Sequence, residues 1–270
     1  MRLLALVLLL VSAGLSTAQA DELPIFDAHM HYSHDAWSVV PPREVVEILK
    51  KAGIKRAMVS SSNNEGTKML QEVAPDMIVP ELRPYRSRGE ISTWARDPTL
   101  IPYLEDLLSK RQYRAIGEFH IYGADADLPN VRRVVELAKQ YGLYLHSHSD
   151  ADAVTRHFRQ DPNAKVLWAH SGFERPEKVG EMLRRYPTLW CDLAFLSAHV
   201  SNGKVVPGWR ELFIEFPDRF VLGSDTFTPE RWHYVVENAR WSRQWLSDLP
   251  PAVARKIAYE NGDRLFGSGP

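Results

Sequence analysis

The 270-residue sequence has one cysteine, Cys191, and a formal net charge of only −1. A single cysteine excludes an internal disulfide, and its apolar surroundings predict a small buried side chain. Acidic and basic residues are interspersed along the chain, so nothing in their pattern indicates a surface for nucleic acid or for a membrane. The sequence also lacks a Gly-rich phosphate loop, a nucleotide-binding fingerprint and a Ser-His-Asp spacing. The chemistry must therefore come from other residue types.

The first twenty residues have the pattern of a secretory signal peptide. Met1-Arg2 precedes an uncharged apolar run from Leu3 to Val11, and Ala18-Gln19-Ala20 forms an Ala-x-Ala cleavage box. The run is too short to remain as a stable membrane anchor, and a buried N-terminal helix is the alternative interpretation. We predict cleavage after Ala20 and export of residues 21–270 to the periplasm or the medium.

Downstream of the cleavage box, short apolar runs alternate with amphipathic helical patterns. Eight strands are predicted, at residues 24–31, 55–60, 77–82, 115–121, 143–148, 165–170, 188–194 and 219–224. Helices are predicted at residues 42–52, 98–112, 128–141, 151–159, 177–186, 209–216, 229–246 and 251–266. Such alternation over about 250 residues predicts an α/β fold, a single-domain (β/α)₈ TIM barrel. A doubly wound open sheet is the alternative, because periodicity does not give strand order.

Two histidines end the first predicted strand. Side chains alternate faces in a strand, so His29 and His31 point the same way, roughly 7 Å apart along the backbone. Two imidazoles on one face can hold a divalent metal, although an isolated pair is also compatible with two structural histidines.

Further metal-ligand residue types lie at the ends of other predicted strands. They are Glu118 on the fourth strand, His146 and His148 on the fifth, His170 on the sixth and Asp225 after the eighth. In a parallel barrel these ends converge on one mouth, where active sites of this fold lie. Imidazoles and carboxylates that meet there form a site for zinc or a similar divalent ion. Long loops at residues 84–96 and 195–207 are expected to hang over that mouth.

With these motifs the sequence resembles the amidohydrolase superfamily of metal-dependent hydrolases, and most of all its amidohydrolase-related branch, which also holds lactonases and decarboxylases. The matching segments are His29-Met30-His31, Gly117-Glu118, Tyr144 to His148, Trp168 to Gly172 and Leu222 to Thr226. The resemblance implies that His29, His31 and Asp225 bind one metal. It also implies that Glu118 can bridge to a second metal completed by His148 and His170, so that one or two ions, Zn²⁺ above all, are expected.

The fifth strand offers two histidines for one ligand position. His148 lies one layer nearer the predicted mouth, and Ser149-Asp150-Ala151 after it caps the next helix. We therefore assign His148 as the ligand and His146 as a supporting or core histidine.

Other residues are weaker candidates. His120, Arg83, Arg86 and His199 could contact substrate, but a structural hydrogen bond or simple solvation explains such residues as well. His157 and His233, on helical segments, are expected on the surface. The last helical pattern is expected to pack Phe266 on the outside of the barrel.

This ligand set predicts a hydrolase that acts on a small ester, lactone or amide. A metal lowers the pKa of bound water and polarises the oxygen under attack. Asp225 would take up the proton, and His170 would bind metal or donate to the oxyanion. A metal-dependent decarboxylase is the main alternative. A metal-dependent phosphodiesterase or deoxyribonuclease would need a cationic surface that the balanced charge does not indicate. A metal-binding protein without catalytic activity is a further alternative. A small-molecule substrate is thus the expected partner.

Overall fold

The computed structural model describes residues 22–195 and 197–267, so the predicted signal peptide lies outside the described residues. Eight parallel strands form one sheet in which each strand pairs with the next of the eight along the chain, and two further short strands, β8 Val200–Ser201 and β9 Lys204–Val205, pair only with each other. The bounds of the eight are β1 Ile25–His31, β2 Ile54–Ser60, β3 Ile78–Leu82, β4 Ala115–His120, β5 Tyr144–His148, β6 Lys165–Trp168, β7 Leu189–Asp192 and β10 Phe220–Val221. Strand order therefore follows chain order, as it does in a TIM barrel.

The first and last strands meet and nearly close the barrel. The Ala28 amide donates to the Leu222 carbonyl over 2.8 Å, and the Asp225 amide donates to the His29 carbonyl over 2.8 Å. The His31 amide donates to the Thr226 carbonyl over 2.9 Å. The predicted (β/α)₈ barrel is confirmed, and the open-sheet alternative is wrong. Closure also brings Asp225 beside the histidines of β1.

Helices cover the outside of the sheet. They are α1 Pro42–Lys51, α2 Glu65–Val73, α3 Leu100–Lys110, α4 Pro129–Tyr141, α5 Ala151–Gln160, α6 Pro176–Arg185, α7 Pro207–Glu215, α8 Val235–Leu246 and α9 Pro251–Arg255. The sequence did not predict α2, which buries Gly66, Thr67 and Leu70. A Cβ at Gly66 would lie 1.9 Å from the Tyr32 carbonyl oxygen. The glycine is thus needed for a close approach of two backbone segments, although in the sequence it weakens the helical pattern.

The two long loops contain short elements of their own. The first holds 3₁₀ turns at Arg88–Ser92 and Trp94–Arg96, and the second holds a hairpin of β8 Val200–Ser201 and β9 Lys204–Val205. The helix predicted at 229–246 divides into a 3₁₀ turn, Pro229–Tyr234, followed by α8. Within the described residues, none of the helices is both long and apolar enough to cross a membrane.

Apolar side chains fill both faces of the sheet. Most of the buried core lies between the strands and the helices, while a smaller cluster lies inside the barrel. The inner cluster includes Phe26, Met58, Leu167 and Phe266, so the expectation that Phe266 packs on the outside is wrong. Its ring lies 6.1 Å from that of Phe26, between centroids. The chain returns after α9 to cover the end of the barrel remote from the carboxyl ends of the strands.

Candidate metal centre

His29, His31 and Asp225 converge at the carboxyl end of the barrel. The two imidazole Nε2 atoms are 3.1 Å apart. Asp225 Oδ1 lies 3.7 Å from Nε2 of His29 and 3.4 Å from Nε2 of His31. Two ligands bound about 2.1 Å from a tetrahedral ion are about 3.4 Å apart. The separations of 3.1 to 3.7 Å between the three donor atoms therefore fit a single divalent ion. All three side chains are buried.

Glu118 and His170 extend this group of donors. Glu118 Oε1 lies 3.6 Å from His29 Nε2 and 3.4 Å from His170 Nε2, and Glu118 Oε2 lies 3.4 Å from His31 Nε2. His170 Nε2 is 4.0 Å from Asp225 Oδ2. The structure thus brings five predicted ligand residues into contact, with donor atoms that could hold a metal ion.

The remote nitrogens of three histidines are held by partners outside this centre. His29 Nδ1 lies 3.2 Å from Asp192 Oδ2, and His31 Nδ1 lies 2.9 Å from Ser60 Oγ. His170 Nδ1 donates to the Ala194 carbonyl oxygen over 2.7 Å. A neutral imidazole that donates from Nδ1 keeps its lone pair on Nε2. The arrangement favours His170 as a metal ligand rather than as a hydrogen-bond donor to an oxyanion.

Asp192 connects several of these groups, and the sequence analysis missed it. Its Oδ2 also lies 2.9 Å from His146 Nε2, and its Oδ1 accepts the backbone amides of His170 and Ala194 over 3.0 and 2.9 Å. His146 Nδ1 lies 2.8 Å from Glu81 Oε1. Glu81, His146, Asp192 and His29 therefore form a buried chain of hydrogen bonds. Glu81 is the last residue but one of β3 and Asp192 is the last residue of β7, so both lie near strand ends like the other candidates.

The carboxylates make this buried centre strongly attractive to a cation. Burial alone would lower the pKa of His29, but the charges of Asp192 and Glu118 raise it well above its usual value. Burial alone would raise the pKa of Glu118, yet the His29 charge and a hydrogen bond from His148 lower it well below the usual range. Burial is likewise outweighed at Asp225, whose pKa falls to about 2 beside His29 and His31. The centre therefore favours positive charge, which a divalent ion supplies.

His148 and His120 lie together at the edge of the centre. His148 Nδ1 is 2.7 Å from Glu118 Oε1, and its ring stacks on that of His120 with centroids 4.0 Å apart. The Tyr85 hydroxyl lies 3.2 Å from His120 Nδ1. Burial lowers the pKa of His120 to about 3, so its ring is neutral near pH 7. Both histidines line the cavity over the metal centre, whereas His146 lies beneath it.

Of the two predicted substrate-binding arginines, the structure brings one to the centre. Buried Arg83 lines the cavity and bonds to Glu118, with Nη2 2.9 Å from Oε2 and Nε 3.2 Å from the carbonyl oxygen. Arg86 instead pairs with Glu90 and Asp97 within the loop after β3. The Arg86 side chain therefore stabilises the conformation of that loop.

Two other histidines differ from expectation. His199 lies away from the cavity over the metal centre, fully buried beside the rings of Trp209, Phe213 and Trp245. The expectation that His157 lies on the surface is wrong, because it is fully buried on α5 with Nε2 3.1 Å from Ser147 Oγ. The apolar face of α5 accepts it because the serine satisfies one ring nitrogen. His233 is exposed, as predicted.

Two glycines allow the strands to approach each other at the centre. A Cβ at Gly117 would lie 2.4 Å from the His146 carbonyl oxygen, and the φ of Gly117 is +154°. A Cβ at Gly223 would lie 2.7 Å from the Cβ of His29. Side chains at these positions would push Glu118 and Asp225 away from the histidines.

Comparison with known proteins places this geometry in context. A family profile described as amidohydrolase matches residues 26–268, and no curated protein matches the chain. An uncharacterized TIM-barrel protein from Bordetella bronchiseptica is 15% identical, with a TM-score of 0.61 over 90% of this chain and 98% of that one. A probable 2-pyrone-4,6-dicarboxylic acid hydrolase from Acinetobacter baumannii, with citric acid bound, is 13% identical, with a TM-score of 0.56 over 90% of this chain and 99% of that one. An amidohydrolase from Burkholderia multivorans with bound zinc is 14% identical, with a TM-score of 0.53 over 90% of this chain and 98% of that one. At these identities the solved structures support the fold alone.

Proposed function

The chain belongs to the amidohydrolase family, and from that premise we propose that it is a metal-dependent hydrolase of a small ester, lactone or amide. The observation that carries the proposal is the meeting of His29, His31 and Asp225, with donor atoms 3.1 to 3.7 Å apart. Nitrogen and oxygen donors of this kind suit zinc. Glu118, His148 and His170 lie near enough to complete its coordination or to hold a second ion.

Different residues of the chain have different roles in the proposed reaction. A bound divalent ion supplies Lewis acidity, which lowers the pKa of water and polarises a carbonyl oxygen. Asp225 has a second carboxylate oxygen that can take the proton from the attacking water and deliver it to the leaving group. Asp192 holds His29 and the backbone of His170 in place, and Arg83 holds Glu118. The cavity of about 280 Å³ above them admits a small substrate.

Product analysis separates this proposal from the decarboxylase alternative. The alternative has support from Arg83, which is buried at the cavity wall. Its guanidinium could orient the carboxylate of a substrate while it also bonds to Glu118. Metal-loaded protein is incubated with small esters, lactones, amides and carboxylic acids, and products are followed by mass spectrometry. An acid formed with uptake of one water supports the hydrolase. Release of carbon dioxide without uptake of water would identify a lyase.

Loss of His29 should empty the metal centre. His29→Ala removes the imidazole that lies within 3.7 Å of His31, Glu118 and Asp225. We expect wild-type protein loaded with zinc to retain at least one ion after gel filtration and the variant to retain much less than one. Elemental analysis measures this, with the exposed His233→Ala as the matched control. Equal zinc in wild type and His29→Ala would contradict the assignment.

We also propose that the protein is exported, on the support of the cleavage box at Ala18-Gln19-Ala20. Expression of the full chain in a bacterium should give mature protein that begins at Asp21, outside the cytoplasm. N-terminal sequencing after cell fractionation tests this, with Ala18→Arg as a variant that blocks cleavage. Cytoplasmic protein that still begins at Met1 would show that the segment is not a signal peptide.

A further inference from the structure

Two phenylalanines project into the mouth of the metal-site cavity instead of packing in the core. Phe173 is 52% exposed and Phe195 is 55% exposed, and both line the cavity. Phe227 lines it as well, with its ring centroid 6.2 Å from that of Phe195. Large apolar side chains left open to water at a concave site are typical of surfaces that bind an apolar partner or ligand.

The backbone holds both rings in place at some cost. Phe173 and Phe195 each have a φ of +53°, a left-handed conformation that bulky residues rarely adopt. Such outliers persist where the surrounding structure enforces them, and they are concentrated at functional sites. Phe173 ends a left-handed turn that begins with the candidate ligand His170 and continues through Ser171 and Gly172. The turn therefore sets the positions of the metal-site imidazole and of the phenyl ring together.

Both rings lie near His170, one of the candidate ligands. Phe173 stacks against His170, with centroids 4.7 Å apart and planes inclined by 23°. The Phe195 ring centroid lies 6.4 Å from that of His170, and the Arg231 guanidinium carbon lies 4.9 Å from the Phe195 ring centroid. A group bound at the centre beside His170 would therefore lie next to these two rings.

We propose that Phe173 and Phe195 are specificity-determining residues that select substrates with a flat apolar group, such as a phenyl ring, next to the carbonyl under attack. The inference rests on the proposed function, because it takes the metal centre as the place where that carbonyl binds. A ring bound against the two phenyls would bury apolar surface on each of them and could take offset or edge-to-face contacts. A methyl group in the same place would leave most of both rings in water.

The test uses two hydroxamates, which chelate metals through the same atoms and differ in the attached group. Affinities of benzohydroxamate and acetohydroxamate for zinc-loaded protein are measured by calorimetry. We expect wild type to bind benzohydroxamate at least tenfold more tightly. The double variant Phe173→Ala, Phe195→Ala should lose most of that preference and keep its affinity for acetohydroxamate. Tyr141→Ala, an exposed aromatic residue at the end of α4, is the matched control and should behave as wild type.

The possible outcomes separate this inference from the proposed function. Equal affinity of wild type for the two hydroxamates would overturn the role of the phenylalanines and leave the metal centre intact. An unchanged preference in the double variant would do the same. Failure of wild type to bind either compound would overturn the metal centre and the inference with it. Phe173→Leu with Phe195→Leu should keep part of the preference, which guards against misfolding of the alanine variant.

Discussion

Replacement of Asp225 by asparagine should reduce turnover by about 10²–10⁴ while the barrel stays folded. Asp225 is buried beside His29 and His31, and its backbone has a φ of +48°. Asparagine tolerates the left-handed region better than most residues, so the strand end should keep its course. The amide oxygen can still coordinate an ion, but the amide accepts no proton from water. The expected loss therefore falls on kcat rather than on stability.

Three measurements on the same preparation test this expectation. Circular dichroism and the melting temperature report folding, elemental analysis reports bound zinc, and product formation reports turnover. Asp106→Asn, an exposed residue of α3 that pairs with Lys110, is the matched control. Turnover within a few-fold of wild type, with zinc still bound, would contradict the role of Asp225 as proton acceptor. A large loss of stability with no activity to lose would indicate a structural metal instead.

Much of the fold could be predicted because its signals are local. Apolar runs such as those of β1 and β5 identify strands, and eight of them with intervening helices favour a barrel over other folds. Helix α2 was missed because Gly66 weakens the helical pattern of the sequence. The reason for the glycine is its close approach to the Tyr32 backbone, a contact that exists only in the folded chain. His157 was misplaced because a polar residue on an apolar helix face needs a partner from another element, here Ser147.

The candidate ligands could be predicted because barrel geometry brings the ends of the strands together. The structure brings His29, His31, Glu118, His170 and Asp225 into contact, and their role as ligands remains the prediction that metal analysis tests. The supporting carboxylates Glu81 and Asp192 were missed because a single acidic residue near a strand end forms no recognisable sequence motif. Their function comes from contacts between β3, β5 and β7, and periodicity along a single strand says nothing about such contacts.

Among those supporting residues, Asp192 should have the largest effect on stability and on metal binding. Its two oxygens face four N–H groups, those of the His29 and His146 rings and the amides of His170 and Ala194. Burial would raise the pKa of Asp192, but the charge of His29 and the hydrogen bond from His146 outweigh it and lower that pKa far below its usual value. Asp192→Ala leaves these donors without an acceptor, and breaking a buried ion pair costs about 3–5 kcal/mol. In a chain of this size that lowers Tm by roughly 10 °C.

Asp192→Asn separates the effect on the metal from the effect on stability. The amide keeps one acceptor oxygen for the two backbone amides, but its NH₂ group then faces the rings of His29 and His146. To avoid that clash His29 must accept at Nδ1, which moves its proton to Nε2 and removes the lone pair directed at the ion. We expect zinc affinity to fall by about 10- to 100-fold, measured by chelator competition. Glu81→Gln keeps an acceptor for His146 and is the matched control, with a smaller loss expected because it lies two hydrogen bonds farther from His29. Zinc affinity of Asp192→Asn within twofold of wild type would show that Asp192 does not set the proton position on His29.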